Sequence, residues 1–407
     1  DTSFPSLKND LSVAKVIKEE SDAIKTTVVG PPASQYTEGI LKSGSIDYVA
    51  RWEYDFTLQE LARLLEESGN VADVAGISYL RDGRVVHNPD RVLSASADLD
   101  RIPFVSKIYQ EHLHIDDYFL GQSLYPEVQI FTGRGCPNQC TFCAWPQTLM
   151  GRRYRVRSIP NVLDEVEWIE ENLRVKEIFF EDDTFTIDRK RVLEFCAAYR
   201  ERGLTTAWSC NARANTLDYP TIQAMKSANC RLLIAGFESG SDAILRSIKK
   251  GITTDQIRHF SADARRAGMM VHGDFIVGLP GETKETIEAT KRLIWEIRPD
   301  ILQVAVATPF PGTEFYTWCK ENGHLQVENV DDYLDGFGHQ KAIISYPDLT
   351  NDEMEREVDD ILHAYYFSLS YVPTVLHQLR QRSALDELRR LAYSVRMFLR
   401  YMGERRQ

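Results

Sequence analysis

From Val128 onward the sequence alternates strand-like and helix-like segments six times, and this repetition constrains the fold more than any other feature. The predicted strands are short apolar runs at 128–132, 177–181, 206–211, 232–238, 271–278 and 301–307. Helical patterns separate them, for example at 162–172 and 189–202. Repeated strand–helix units predict a parallel sheet that curves into a barrel, with its chemistry at the carboxyl ends of the strands. Six units rather than eight predict a partial barrel.

A cysteine-rich loop follows the first of these strands. Cys136, Cys140 and Cys143 have the spacing C-x3-C-x2-C, and Phe142 precedes the last of them. Thiolates are the usual ligands of iron–sulfur clusters, and a tight loop can wrap one face of a cluster. Zinc is the main alternative, but a structural zinc site usually needs four ligands, and no second cysteine pair follows. The pattern favours a cluster, whereas the remaining cysteines, including Cys210, fit buried apolar positions.

The spacing and the aromatic residue before the last cysteine resemble the radical S-adenosylmethionine (SAM) enzymes, and the resemblance covers most of the chain. It implies that Cys136, Cys140 and Cys143 hold a [4Fe-4S] cluster whose open iron binds SAM. It also implies that an electron from the cluster cleaves SAM to methionine and a 5'-deoxyadenosyl radical, which abstracts a hydrogen from the substrate. The expected electron donor is a reduced flavodoxin or ferredoxin.

The same resemblance implies a set of SAM contacts at the strand ends. Acids after the second strand match the family's motif for the SAM amino group, and which of them faces inward is open. The alternatives are a solvated turn and a helix N-cap at Asp183. Segments ending the fourth and fifth strands match those near the ribose and methionine and near the adenine. The expected cofactor contacts from these motifs are Phe142, Glu181, Asp182, Asp183, Glu238, Ser239, Gly273, Ile276 and Gly278. Ser209 and Arg213 are added from their position at the end of the third strand, where Arg213 could bind a carboxylate; a surface ion pair is the alternative for Arg213. No catalytic residue is assigned.

The N-terminal part has a different organisation. Helix and strand alternate over residues 1–70, with a helix at 57–67 that a Thr57–Glu60 capping box would begin. This is the pattern of half a Rossmann-like domain, and its placement before the barrel resembles the cobalamin-binding class of radical SAM enzymes. A hairpin at 76–87, joined through Asp82 and Gly83, then marks a junction. The corrinoid signature Asp-x-His-x-x-Gly is absent and the first residue is Asp1, so cobalamin stays open and a missing upstream segment is expected.

The expected fold class is therefore α/β, a partial (β/α)6 TIM-like radical SAM barrel preceded by a half Rossmann-like B12-binding-type domain. The predicted boundaries are 1–70 for that domain, 71–125 for the hairpin and a surface linker, 126–320 for the barrel, and 321–407 for a helical C-terminal extension. Residues 378–407 interleave eight arginines with leucines. Such a basic amphipathic helix either packs on its own domain or contacts an anionic membrane surface peripherally.

Composition limits the cellular compartment and the partners expected for this chain. The chain has 407 residues, 43% of them apolar, and no apolar run approaches the roughly 20 residues that span a bilayer. Seven cysteines, an odd number, favour a reducing compartment over a disulfide framework. The formal charge of -12 disfavours nucleic acid as a partner. These features predict a cytoplasmic protein, or one peripheral at the inner membrane.

Residues 140–158 around the cluster loop are similar to hopanoid-biosynthesis-associated radical SAM proteins of the J type. This similarity implies that the enzyme remodels the sugar headgroup of a hopanoid into a cyclitol ether, with a glycolipid or another small molecule as substrate. One alternative is a cobalamin-dependent radical SAM methyltransferase, which would consume SAM twice and form S-adenosylhomocysteine. Another is a non-catalytic, metal-stabilised binding module.

Overall fold

A four-stranded mixed sheet organises the N-terminal part of the computed structural model, which describes residues 3–118, 120–327, 330–334, 338, 340–381 and 396. Its elements are α1 (Leu7–Glu20), β1 (Thr27–Val28), α2 (Pro31–Gln35), α3 (Thr37–Lys42), β2 (Tyr48–Ala50), α4 (Asp55–Glu66), β3 (Ile77–Arg81), β4 (Arg84–His87), α5 (Ser96–Leu99) and α6 (Val105–His112). Strands β1 and β2 are parallel, and β3 and β4 extend the same sheet as antiparallel strands. The predicted hairpin is therefore present, and it extends the first sheet.

Two details here differ from the sequence expectations. Helix α4 begins at Asp55, so Thr57 lies in its first turn, and the Thr57 hydroxyl donates to the Ala75 carbonyl at 3.3 Å instead of forming a capping box. Residues 88–125 also contain α5 and α6, with Leu99 and Ser106 buried, instead of a surface linker alone. Helices of one or two turns are too short to show a clear hydrophobic period.

A six-stranded parallel sheet forms the second part. Its elements and connections are β5 (Glu127–Ile130), β6 (Gly133–Arg134), α7 (Ala144–Thr148), β7 (Arg155–Val156), α8 (Ile159–Asn172), β8 (Glu177–Phe180), α9 (Arg189–Glu201), β9 (Ala207–Ala212), α10 (Tyr219–Ser227), β10 (Cys230–Glu238), α11 (Asp242–Ser247), α12 (Thr254–Arg266), β11 (Met270–Val277), α13 (Lys284–Ile297) and β12 (Ile301–Val306). The strand order is β12-β11-β10-β9-β8-β5, while β6 and β7 pair separately as an antiparallel ribbon. All six predicted strands are confirmed to within two residues, and so is the α/β fold.

The two edges of this sheet do not pair with each other in the part of the chain that is described, so the barrel is partial. Helix α6 covers the β5 edge, where the Tyr109 hydroxyl donates to the Gln129 carbonyl at 2.9 Å. The helices α14 (Glu314–Glu321), α15 (Asn351–Tyr366) and α16 (Val372–Gln381) follow β12. Helix α15 covers the β12 edge, with the Tyr366 hydroxyl donating to the Leu302 carbonyl at 2.6 Å.

Helices follow the barrel as far as the description extends, in agreement with the expected C-terminal extension. The predicted basic amphipathic helix at 378–407 lies almost entirely outside the described residues. Among the helices that are described, none combines the length and apolar character needed to traverse a lipid bilayer.

Strand β8 shows how the sequence orients side chains toward the barrel interior. Ile178 and Phe180 belong to the hydrophobic core between the sheet and its helices. Phe180 packs 5.5 Å from Phe195 of α9, measured between ring centroids. Because successive side chains of a strand point to opposite faces, Phe179 and Glu181 face the interior instead. The functional groups of the sheet therefore converge on one space.

Candidate active site

A cavity of about 250 Å³ lies at the carboxyl ends of β8, β9 and β10, and we call it the cluster cavity. The thiols of Cys136, Cys140 and Cys143 line it together, and all three are free. Cys136 is 8% exposed and Cys140 is 6% exposed. Its other lining residues are Phe131, Phe142, Trp145, Met150, Glu181, Asp183, Thr184, Asn211, Ala212, Arg213, Ile234, Gly236, Glu238, Lys250 and Asp274. The three predicted ligands thus share one buried pocket.

The surroundings of these thiols fit a cluster. The Asn138 side-chain amide donates to Cys136 Sγ at 3.2 Å, and Arg213 Nη1 lies 4.0 Å from Cys140 Sγ. Burial raises the pKa of the Cys143 thiol, and Asp183 and the other two thiols raise it further, so this thiol becomes a thiolate ligand only when a metal binds it. No three His, Cys, Asp or Glu side chains converge on a single-ion site within the described residues. In a [4Fe-4S] cluster each thiolate binds a different iron, so three ligands of a cluster need not converge on a single ion.

The backbone around the loop is held closely at its start. The Gly135 amide donates to Asp183 Oδ2 at 2.8 Å, and the Cys136 amide donates to the Gly151 carbonyl at 3.3 Å. Gly135 has φ +81°, and a Cβ there would lie 2.3 Å from the Arg153 carbonyl oxygen. Only glycine combines this conformation with so close an approach. The first cysteine is therefore positioned by the β6–β7 ribbon.

The end of the loop is held by Gln147. Its side-chain amide donates to the carbonyls of Cys143 at 2.7 Å and Thr141 at 3.2 Å, and its Oε1 accepts from the Glu314 amide at 3.0 Å. Gln147 therefore fixes the loop against α14, whereas its neighbour Trp145 lines the cavity itself.

The three acids after β8 have three different environments. The Asp182 carboxylate accepts from the Thr132 amide and from its hydroxyl, both at 2.6 Å, and it does not line the cavity. Asp183 faces the thiols, and burial raises its pKa to about 6. Burial, with Glu127 and the two neighbouring acids, raises the pKa of Glu181 to about 7. Asp182 is thus a structural anchor, while Asp183 and Glu181 are available to a ligand.

The cluster cavity also contains a buried ion pair that the sequence did not predict. Lys250 Nζ donates to Glu238 Oε1 at 2.6 Å and lies 5.8 Å from the centroid of the Phe142 ring. Burial alone would lower the pKa of Lys250, but Glu238 outweighs that effect and raises it. Asp274 of β11 joins this group, and burial raises its pKa to about 8. Asp274 points into the barrel because alternate side chains of β11 lie on opposite faces of the sheet.

His272 has no functional partner in this group. Its Nε2 lies 3.2 Å from Asp274 Oδ1, but no aligned hydrogen bond joins them, and neither ring nitrogen has a partner among the described atoms. Burial lowers the pKa of His272 to about 4. With the Asp274 carboxyl also favouring its neutral form, the two side chains form a neutral contact instead of an ion pair.

Of the predicted SAM contacts, the structure brings Phe142, Glu181, Asp183, Arg213 and Glu238 to the cluster cavity. Those that do not line it, besides Asp182, are Ser209, Ser239, Gly273, Ile276 and Gly278. The Ser239 hydroxyl lies 3.3 Å from the Thr290 hydroxyl, and a Cβ on Gly273 would meet the Phe237 ring at 3.0 Å. Ile276 lies on the same face of β11 as Asp274, one step nearer the carboxyl end. The roles of all these residues toward SAM stay predictions.

A second cavity, of about 650 Å³, lies between α6 and the interior face of β5, and we call it the α6 cavity. Phe131 and Glu181 line both cavities, so the two spaces meet at these side chains. Tyr54 and Asp55, which follow β2 of the first sheet, also line the α6 cavity. No motif predicted this space, because its walls come from segments far apart in sequence.

Buried ion pairs join the first sheet to the cluster loop. Arg155 Nη1 of β7 lies 2.7 Å from Glu53 Oε1, and both side chains are almost completely buried. Arg134 of β6 donates to Asp55 through both terminal nitrogens, at 2.5 and 3.0 Å. Both strands of the ribbon that brackets the loop are therefore tied to the residues that follow β2.

Comparison with known proteins agrees with this arrangement. The Radical SAM superfamily profile matches residues 130–294. The uncharacterized methyltransferase PH0819 of Pyrococcus horikoshii is 31% identical over 323 residues, which cover 79% of this chain and 69% of that protein. The hopanoid C-3 methylase of Methylococcus capsulatus is 27% identical over 327 residues, covering 78% of this chain and 59% of that protein.

Among solved structures, that of TsrM, a radical S-adenosylmethionine methyltransferase from Kitasatospora setae, aligns with a TM-score of 0.67 at 16% identity. The alignment covers 82% of this chain and 70% of TsrM, and it shows a shared fold. These proteins give no support to the remodelling of a hopanoid headgroup, whereas the methyltransferase alternative agrees with them better.

Proposed function

This chain belongs to the radical SAM superfamily, and on that premise we propose that it is a cobalamin-dependent radical SAM methyltransferase. As a member of the superfamily it is an enzyme that uses a [4Fe-4S] cluster and SAM. The similarity to PH0819 extends beyond the 165 residues of the superfamily match to 323 residues. The similarity to this methyltransferase therefore extends outside the part of the chain that the superfamily profile matches.

The observation that carries the proposal is the way the first sheet faces the barrel. Ligands of doubly wound sheets bind outside the carboxyl ends of the strands. Tyr54 and Asp55 follow β2 at that end, and they line the α6 cavity, which meets the cluster cavity at Phe131 and Glu181. A group held by the first sheet would thus approach the space beside the thiols.

Two residues at this sheet end have positive φ angles. Gly30 follows β1 with φ 101°, and Trp52 follows β2 with φ 59°, a conformation that a tryptophan rarely adopts. Strained backbone of this kind is concentrated at ligand sites. Gly30 and Trp52 are the residues that would contact cobalamin. When bound, the cluster supplies the electron that cleaves SAM, and cobalamin supplies a carrier for the methyl group.

Residues of the chain would bind and orient the cluster and SAM. Cys136, Cys140 and Cys143 would ligate the cluster through thiolates. Asp183 presents a carboxylate oxygen to the same space, where a SAM amino group would find an acceptor, and the planar guanidinium of Arg213 suits the SAM carboxylate. These contacts hold the reactants in place in a buried pocket.

Apolar and paired groups complete the pocket. Phe131, Phe142, Met150 and Ile234 line it and exclude water from the reacting groups. The Lys250–Glu238 pair places a fixed dipole beside the thiols without leaving a net charge. A small-molecule substrate and a reduced electron-transfer protein are the partners that this chemistry requires.

The test uses the full chain, reconstituted anaerobically with iron, sulfide and hydroxocobalamin, with SAM, a chemical reductant and extracts fractionated for substrate. The proposal predicts both 5'-deoxyadenosine and S-adenosylhomocysteine, with the second product lost when cobalamin is omitted. Cys140→Ala should abolish both, while Cys196→Ala, which changes a buried cysteine of α9, should keep both. If 5'-deoxyadenosine forms alone whether or not cobalamin is present, the enzyme is not a methyltransferase of this type.

A further inference from the structure

The α6 cavity has walls that are mostly apolar. Helix α6 contributes Val105 and Ile108, and β5 contributes Val128. The remaining apolar lining residues are Leu99, Ile102, Pro103, Leu113, Ile115 and Phe131. A space of about 650 Å³ with such walls suits the apolar body of a small molecule.

Acidic residues outnumber basic residues in the lining of the α6 cavity. Asp55 is paired with Arg134, and Glu165 is paired with Arg157 at 2.6 Å. Glu127 and Glu181 also line the cavity, and no cationic side chain among the described residues pairs with either of them. Two acids without cationic partners therefore face an apolar space.

Glu127 is the more buried of these two acids. It is 5% exposed, and its Oε1 accepts from the Gln129 side chain at 3.2 Å. Its Oε2 is buried without a hydrogen-bond partner among the described atoms. A buried carboxylate without a partner is costly, and burial accordingly raises the pKa of Glu127. A cationic ligand would supply the missing hydrogen bond and the missing charge.

The α6 cavity adjoins the cavity that contains the thiols. Its far end lies at Glu127, the first residue of β5, and its near end lies at Phe131 and Glu181, which also line the cluster cavity. Cobalamin would be held outside the carboxyl ends of β1 and β2, which leaves the interior alongside β5 to another molecule.

We propose that the α6 cavity is the substrate site and that it accepts a largely apolar amine whose amino group binds Glu127. This inference rests on the proposed function, because it takes the substrate to lie next to the cluster cavity. The apolar body would fill the space beneath α6. The end opposite the amino group would then reach Phe131 and Glu181, beside the thiols.

The test is calorimetric titration of the full chain without cluster or SAM, using octylamine and its neutral counterpart octan-1-ol as probes. A charge-assisted hydrogen bond to Glu127 should make octylamine bind roughly tenfold more tightly than octan-1-ol. Glu127→Gln keeps the shape of the side chain and should remove that preference without weakening octan-1-ol. Equal binding of the two probes to the unaltered chain, or a preference that survives Glu127→Gln, would overturn the proposal.

A matched pair of variants on α6 locates the binding. Ile108 lines the cavity, so Ile108→Trp should fill it and weaken both probes at least tenfold, whereas Glu111→Trp, on the exposed face of α6, should weaken neither. Displacement of octylamine by hydroxocobalamin would instead assign the cavity to the corrinoid and overturn the proposal. Because these titrations need no turnover, their failure is distinct from a failure to form S-adenosylhomocysteine.

Discussion

The cluster cavity and the α6 cavity adjoin each other, but they differ in the partners that their charged side chains have. In the cluster cavity the charged side chains nearest the thiols have protein partners: Lys250 binds Glu238, and Asp183 accepts from Gly135. In the larger α6 cavity, apolar walls surround Glu127, whose Oε2 has no partner within the described part of the chain. The difference suggests that the first space is organised in advance for fixed groups, while the second depends on its ligand to complete its hydrogen bonds.

Two adjacent lysines provide the largest test of the claim that the cluster cavity is organised in advance. Lys250→Met leaves Glu238 buried without a partner, and we expect a loss of about 3–5 kcal/mol in the free energy of unfolding. Lys249→Met removes an exposed pair with Glu314, 2.6 Å long, and should cost less than about 1 kcal/mol. Urea unfolding of both variants measures the contrast. Similar losses would mean that the buried pair does not stabilise the cavity.

Two glycines test whether the cluster loop depends on a close approach. Both Gly135 and Gly203 have positive φ, but an added Cβ would lie 2.3 Å from the Arg153 carbonyl at Gly135 and within 4 Å of no described atom at Gly203. Gly203→Ala should cost about 1 kcal/mol, from the backbone conformation alone. Gly135→Ala should cost roughly 3 kcal/mol and also lower the iron bound after reconstitution. If iron binding is unchanged, the loop is less constrained than we infer.

Glu181 lies where the two cavities meet, so its titration tests their shared boundary. Its pKa in the folded chain is about 7, above its ordinary value of 4.5. The stability that this shift contributes is fully present below about pH 4.5 and is lost as the pH rises through 7, at roughly 1.4 kcal/mol per pKa unit. Glu181→Gln should therefore match the unaltered chain at low pH and become relatively more stable as the pH rises. Parallel stability curves from pH 4 to pH 8 would contradict this environment.

The sequence predicted the barrel because its signals are local. Each strand is a short apolar run between helical patterns, and the spacing of Cys136, Cys140 and Cys143 is visible without a structure. Lys250 was missed because the pair Lys249-Lys250 before a glycine has the pattern of an exposed charged turn. Only the folded chain brings Lys250 to Glu238, twelve residues away.

The α6 cavity could not be predicted for a related reason. Its walls come from residues between Tyr54 and Glu181, and its cover is formed by α6, a helix of eight residues with little periodic signal. Asp182 shows a further limit. Three consecutive acids have similar sequence signals, and only the hydrogen bonds from Thr132 distinguish the anchor from the two acids that face a cavity.

The most direct test of the account is the iron content and electron paramagnetic resonance spectrum of the reconstituted chain, compared between Cys140→Ala and Cys196→Ala. Both cysteines are buried and free, but only Cys140 lines the cluster cavity. The account predicts a [4Fe-4S] signal that changes on SAM addition in the unaltered chain and in Cys196→Ala, and its loss in Cys140→Ala. An intact signal in Cys140→Ala, or a chain that binds zinc and no iron, would contradict it.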